Sequence, residues 1–291
     1  MTDPLEALRA PVVPIDPDPD FAARLRERLQ RALLQPTGDT MTTDTIHDKR
    51  HGDIGYASVW VPDVERAVAF YGAVLGWHAD SGATGAVRHI EGLPEQHIGL
   101  SGGQEQRTVY LAFAVEDVHE AVRQVRDAGG DAQDPTDEPY GLSAMCTDDQ
   151  GLRFSVYQPP EVVSQVEARL AEAAGLTARH GEISYLTIGV PDIARARSFY
   201  GEVLNWEFRP GHTPGGWSVH LHGTEVRPMT GMYGGADRPV VVPMYTVDDI
   251  GAAVTRVREA GGTATAPARQ PYGVTAECTD DQGSRFYLGQ H

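Results

Sequence analysis

The sequence predicts an α+β protein made of two tandem homologous domains, and three observations carry that prediction. A stretch beginning at Asp53, DIGYASVWVPDVERAVAFYGAVLGWH, recurs from Glu182 as EISYLTIGVPDIARARSFYGEVLNWEF. Further on, VEDVHEAVRQVRDAGG is matched by VDDIGAAVTRVREAGG, and PYGLSAMCTDDQGLRF by PYGVTAECTDDQGSRF, the second copy being three residues longer in its middle. A long fixed-period repeat outranks any local reading of the chain, and this unit is too long for a solenoid. Within each copy, alternating apolar runs give way twice to a helical period, so each domain is itself a doubled strand-helix-strands unit. The boundaries fall at 52–159 and 181–291, with an N-terminal extension over 1–51 and a connecting helix over 160–180.

Residues 1 to 17, rich in Pro and Asp, read as extended. Asp18 and Pro19 then start a helix with Phe21, Leu25, Leu29 and Leu33 on one face, which Pro36 stops. Its other side carries Arg24, Arg26, Arg28 and Arg31, and in so acidic a chain the helix is expected to pack on the protein's own body rather than on a membrane. Thr37 to Arg50 reads as a linker. In the first domain Tyr56 to Val61 alternates as a strand, and Asp63 caps a helix with Val64, Ala67, Val68, Tyr71 and Leu75 on its buried face. Short alternating runs up to Gly103 give three strands. The programme restarts at Val109 with a strand, then Asp117 as cap with Glu120 three residues on, and Gly129-Gly130 as stop. Asp148-Asp149-Gln150-Gly151 is the turn between the last two strands. After a connecting helix with Val163, Val166, Leu170 and Ala173 on one side, the second domain repeats the order, with Asp192 and Asp249 as caps.

Composition narrows the function. Asp and Glu outnumber Lys and Arg by 41 to 24, a formal net charge of −17, which argues against a nucleic-acid partner because such binding needs clustered cations. No run is long enough to span a bilayer and the N-terminus lacks a signal-peptide pattern, so no membrane partner and a cytoplasmic location are expected. Cys146 and Cys278 occupy equivalent positions and read as small buried core residues, one in each domain.

The motifs VPDVERAVAFYGAVLGW, VPDIARARSFYGEVLNW and the CTDDQG turn before an Arg-Phe strand resemble the vicinal oxygen chelate superfamily, which includes glyoxalase I, extradiol dioxygenases, fosfomycin-resistance enzymes and bleomycin-binding proteins. The resemblance covers about three quarters of the chain. It implies two glyoxalase-like domains, each of paired βαβββ modules curling into a cup, and an intramolecular pairing of the two domains, with a homodimer as a further option. In metal-dependent members the cup holds a divalent ion on His and Glu. Carried over one at a time, the first-strand position falls on Tyr56 and Tyr185, the fourth-strand position on Gly99 and Gly231, the fifth-strand position on Tyr110 and Val242, and the last-strand position on Ser155 and Tyr287. None is a usual ligand for such an ion, so no cofactor is expected at the family position.

Strand alternation nevertheless preserves a cup lining. Tyr56, Ser58 and Trp60 share a face with Tyr110, Arg153, Ser155 and Tyr157 in the first domain; the second-domain set is Tyr185, Thr187, Met244, Arg285 and Tyr287. These are the candidate substrate-binding residues, suited to a planar organic ligand with a carbonyl or anionic edge; the competing reading is a dry core filled by its own side chains. The two arginines have a rival role, pairing with Asp148 and Asp149 or with Asp280 and Asp281. His89 with Glu91, and His220 with His222, lie two apart at what read as matching places, and the second pair is the alternative metal arm. The sequence reading is a metal-free glyoxalase-like protein that binds an aromatic or polyketide-like compound. The alternative is a lyase, isomerase or dioxygenase of the superfamily acting through His220 and His222 or through Tyr and His acid-base chemistry.

Overall fold

The computed structural model describes residues 49–80, 85–93, 96–159 and 178–291; the expected N-terminal helix, the expected linker up to residue 48 and nearly all of the expected connecting helix lie outside them. The first copy contains β1 (Ile54–Trp60), α1 (Val64–Leu75), β2 (His78–Ala79), β3 (Val87–Glu91), β4 (Ile98–Ser101), β5 (Thr108–Ala114), α2 (Val118–Asp127), β6 (Asp131–Ala132), β7 (Thr136–Glu138), β8 (Gly141–Thr147) and β9 (Arg153–Gln158). The second contains β10 (Ile183–Val190), α3 (Ile193–Leu204), β11 (Glu207–Pro210), β12 (Gly216–Leu221), β13 (Thr224–Glu225), β14 (Met229–Gly234), β15 (Val240–Thr246), α4 (Ile250–Glu259), β16 (Thr263–Ala264), β17 (Ala268–Gln270), β18 (Gly273–Thr279) and β19 (Arg285–Gln290).

Each copy folds into one mixed sheet, in the orders β2-β3-β4-β1-β5-β9-β8-β6 and β11-β12-β14-β10-β15-β19-β18-β16, with β7, β13 and β17 as side pairings. The two modules of a copy join where β1 runs antiparallel to β5, and β10 to β15. All four helices among the described residues start as the sequence predicts: Asp63, Asp117, Asp192 and Asp249 each accept a backbone N–H from the first turn, which satisfies donors that have no partner inside the helix. α1 and α3 end on left-handed residues, Gly76 at φ 70° and Asn205 at φ 56°, the conformation these two residue types adopt at least cost.

The buried face of α1 is wider than its period suggests. Phe70 and Val74 are buried with Val64, Ala67, Tyr71 and Leu75, while Val68 is only half-buried. The reason is that α1 covers the other copy: Phe70 and Tyr71 meet Phe286, Tyr71 and Trp77 meet Tyr245, and α4 packs alongside. The mirror arrangement sets Phe199, Tyr200 and Trp206 against Phe113 and Phe154. One contiguous apolar cluster therefore runs through both copies. Full burial of each such aromatic contributes about 1.5–3 kcal/mol, so the pairing of copies supplies a large part of the core.

The repeated TDDQG turn locks this arrangement. Asp148 takes two N–H groups of its own turn on Oδ1, from Gln150 and Leu152, and the Tyr200 hydroxyl of the other copy on Oδ2 at 3.0 Å. Asp149 pairs with Arg195 at 2.8 Å, and Gln150 bonds both the N–H and the carbonyl of the helix cap Asp192. The second copy repeats every contact: Asp280 with Tyr71, Asp281 with Arg66, Gln282 with Asp63. Trp77 Nε1 donates to Gly181 O and Trp206 Nε1 to Gly52 O. The aspartates are thus engaged across the seam, and the expected rival pairing with Arg153 and Arg285 does not form: the carboxylates point to the helices, the arginines to the opposite face of the sheet. Cys146 and Cys278 are free, buried thiols, as expected.

Candidate functional site

The strand registers bring most of the predicted lining onto one concave face in each copy. In the first, Ser58 pairs with Gly99 on one side and Tyr110 on the other, while Tyr56 pairs with Ala112, which pairs with Ser155. In the second, Thr187 lies between Gly231 and Val242, and Met229, Tyr185, Met244, Tyr287 and Glu277 form a continuous row. Directly paired residues project to the same side of a sheet, so these rows are the floors of two cups. The opposite faces, with Ala57, Val59, Leu111 and Phe154 or Leu186, Ile188, Tyr245 and Phe286, belong to the core.

The two first-strand tyrosines do the same thing in both cups. A Cβ placed on Gly99 would collide with the Tyr56 hydroxyl, and one placed on Gly231 with the Tyr185 hydroxyl. The phenol fills the place where a fourth-strand side chain would project. Burial raises Tyr56 above the ordinary tyrosine range, outweighing a hydrogen bond with Ser58, and burial likewise raises Tyr185. Both are therefore protonated donors at neutral pH. The Tyr56 hydroxyl lies 3.4 Å from His89 Nδ1.

Around this common feature the cups differ by exchange of size between neighbours. Trp60 beside Ser101 in the first cup becomes Gly189 beside Tyr233 in the second. Ala112, packed with Tyr157, becomes Met244, packed over Gly289; and Tyr110, bonded to Ser155, becomes Val242 while Ser155 becomes Tyr287. In each exchange one side chain shrinks as its neighbour grows, so filling is held while the surface changes. The first cup presents a stacked pair, Trp60 and Tyr110 with centroids 4.9 Å apart, and the Arg153 guanidinium 4.9 Å over the Trp60 ring. Ser58 and Ser101 bond each other at 2.7 Å, and Tyr157 reaches over Gly55. Burial pushes Tyr110 up to about 12 against the opposing effects of Ser155 and Arg153. In the second cup Tyr185, Thr187 and Tyr287 are half-buried and Arg285 is exposed. Burial, together with Glu277, raises Tyr287, although Arg285 opposes the shift.

The histidines do not sit as the sequence reading had them. His89 lies opposite Gly99, and the residue opposite Gly231 is Ser218, so His220 corresponds to Glu91 and the two pairs are out of step. His222 lies beyond the end of β12 in a left-handed turn at φ 50°; the tight return into β13 breaks the alternation that would have put it beside His220. His220 is buried with Nε2 3.1 Å from Ser218 Oγ and Nδ1 unpartnered. Tyr233 and Ser101 were missed as lining residues. Both stand two positions beyond the glycines Gly231 and Gly99, and the strand period alone could have found them.

A divalent ion is tested against these residues by what stands at the four positions of each cup. Tyr, Gly, Tyr and Ser in one and Tyr, Gly, Val and Tyr in the other contain no carboxylate or imidazole, and a phenol occupies the space over each glycine. The donor set does not fit such an ion.

Two cups on mixed sheets, each assembled from two βαβββ modules, define the vicinal oxygen chelate class of fold. The model of the Glyoxalase/Bleomycin resistance protein/Dioxygenase superfamily matches residues 53–156 and 182–288, and the chain belongs to that superfamily. Among solved structures it is similar to the Mn(II)-bound glyoxalase from Novosphingobium aromaticivorans, at 17% identity and TM-score 0.62, covering 83% of this chain and 82% of that one. It is also similar to the 2,3-dioxygenase LapB from Pseudomonas sp. KL28, at 14% identity and TM-score 0.60, covering 82% and 92%. A third is 2,2',3-trihydroxybiphenyl 1,2-dioxygenase from Sphingomonas wittichii, at 16% identity and TM-score 0.60, covering 83% and 91%. Likenesses at such identities show the fold alone. No curated protein matches the chain. Among the described residues no helix is long and apolar enough to cross a membrane.

Proposed function

We infer that the protein is a small-molecule-binding member of this superfamily that works without the family's metal, taking up an aromatic or polyketide-like compound in one or both cups. The observation that carries the reading is the phenol over the glycine, made twice: Tyr56 over Gly99 and Tyr185 over Gly231. A protonated hydroxyl aimed into a cup offers a ligand carbonyl a hydrogen bond, and the surrounding rings offer it a stacking surface. Against a dry core stands the exposure of the face: Tyr110, Tyr185, Thr187 and Tyr287 are half-buried, and Arg153 and Arg285 are open to solvent. The arginines supply an anion partner at the rim.

The test is native mass spectrometry of the purified full chain for a retained organic ligand, with elemental analysis alongside, followed by titration of the recovered compound. A lost ligand hydrogen bond costs about 1–3 kcal/mol, so Tyr56→Phe, Tyr185→Phe or Tyr287→Phe should weaken binding roughly five-fold or more where its hydroxyl is used. Unchanged affinity in all three folded variants puts the ligand outside the cups. Stoichiometric zinc, iron or manganese that survives His220→Ala overturns the metal-free reading.

A further inference from the structure

A cavity of about 600 Å³ opens at the seam between the copies, where β1 and β10 begin. Its size lies within the range of about 300–1,000 Å³ usual for small-molecule sites. It straddles the pseudo-twofold relation of the repeat: Ile54 and Gly55 come from one first strand, Ile183 and Ser184 from the other. Gln96 stitches the copies at its edge, donating to Ile183 O and accepting from Ile183 N, both at 2.8 Å.

The repeat breaks its own pattern at this place. In the first copy Arg50 closes on Asp53 through Nε at 3.1 Å and Nη2 at 3.0 Å. In the second copy the equivalent residues are Arg179 and Glu182, and only the Arg179 backbone N–H reaches the carboxylate, at 2.7 Å to Oε2. The side chain of Glu182 is one methylene longer, and its Oε1 is left buried with no partner. The Arg179 guanidinium is exposed and makes no hydrogen bond or ion pair to any other described residue. A second lining residue, His97, also buries an unpartnered Nε2; its imidazole is held neutral by burial and by Lys49, which lower it below the ordinary histidine range. Native proteins seldom leave buried polar atoms of this kind without a ligand or water to meet them.

We propose that the seam cavity binds a small amphipathic organic anion bearing a hydrogen-bond donor, its apolar body between Ile54 and Ile183, its anionic group on Arg179 and its donor on Glu182. The cavity reaches the edge of both cups, since Tyr56 and Met229 also line it, but the contacts proposed here, to Ile54, Ile183, Arg179 and Glu182, lie off the cup floors and do not depend on the reading given for them. The broken Arg-acid pair is what makes it a site: a free guanidinium and a free carboxylate oxygen, three residues apart in the chain, meet a ligand that carries both complements.

The probe is anilinonaphthalenesulfonate, which combines a fused aromatic body, an N–H donor and a sulfonate, titrated by fluorescence into the full chain. One seam-bound dye molecule per chain is expected, read as the component of the titration that Arg179 substitution removes. Arg179→Gln should weaken binding at least about ten-fold and Arg179→Lys should restore most of it, as a charge contact requires. Ala178→Trp, which puts a large ring into the cavity from a half-buried position, should abolish binding, with circular dichroism confirming the fold. Arg123→Gln, an exposed position on α2 outside the cavity and the cups, should leave the dye affinity unchanged. Dye affinity indifferent to Arg179→Gln, or weakened as much by Arg123→Gln, overturns the proposal. Should Ala178→Trp fail to fold, the exposed Arg179 substitutions decide the matter alone.

Discussion

Replacing Tyr200 by Phe removes one oxygen atom from the seam and should destabilise the whole chain. Tyr200 is fully buried, and its hydroxyl donates at 3.0 Å to Oδ2 of Asp148, itself only 4% exposed. The other carboxylate oxygen already accepts from Gln150 and Leu152, so the variant leaves Oδ2 buried without a donor. A hydrogen bond to a charged group contributes about 1.5–3 kcal/mol, and for a domain pair of this size each kcal/mol moves the melting midpoint by about 2–4 °C, giving a drop of roughly 3–12 °C. The loss should depend on pH. Burial raises the Asp148 carboxyl above its ordinary range, while the Tyr200 bond and the two turn N–H groups pull it down. The variant raises it further. A carboxyl whose folded pKa is raised is most favourable to folding below its unfolded value of about 3.9, and that contribution is lost as pH rises through the folded pKa. The penalty of Tyr200→Phe is therefore full near neutrality and shrinks as the solution is acidified and Asp148 protonates. Thermal melts at several pH values, with Asp148→Asn and the double variant to close a cycle, measure the coupling. A Tyr200→Phe midpoint equal to wild type at neutral pH, or a penalty that grows on acidification, refutes the reasoning.

Four further outcomes are expected. Gly231→Ala should push the Tyr185 hydroxyl from its seat and cost about 1–3 kcal/mol by overpacking, which chemical denaturation would register; the same change at Gly99 should act on Tyr56. A fragment of residues 52–159 leaves Phe70, Tyr71 and Trp77 without their cross-copy partners and should melt well below the intact chain; an equal midpoint would show that the seam contributes nothing. In alkaline titration Tyr71, Tyr200 and Tyr245, raised chiefly by burial, should stay un-ionised until unfolding. Their contribution to stability is complete below the unfolded value of about 10 and is lost above it, so tyrosinate absorbance should rise in step with loss of circular dichroism. Finally, Cys146 and Cys278, both pushed up to about 12 by burial, should resist thiol reagents in the native protein and react together on unfolding.

The sequence by itself determined the repeat, the doubled unit within each copy, the four aspartate caps and the face of each long strand. These follow from local rules: a cap needs its acceptor two or three residues from the donor, and a strand's faces alternate at a period of two. The core face of α1 was only partly legible, because Phe70 is buried against Phe286, more than two hundred positions away, and Val74 lies beside α4 of the other copy, whose Arg256 donates to its carbonyl. What the most closely repeated motifs are for could not be read at all. FYG, the following Trp and TDDQG look like turn and helix punctuation in one dimension, and in three they are the contacts each copy makes with the other. The same limit applied to the histidines: alternation paired His220 with His222, and only the left-handed turn after Leu221 separated them. Periodicity states which way a side chain points; what it meets depends on how strands are registered and how two copies close on each other, and that is decided by packing across the whole chain.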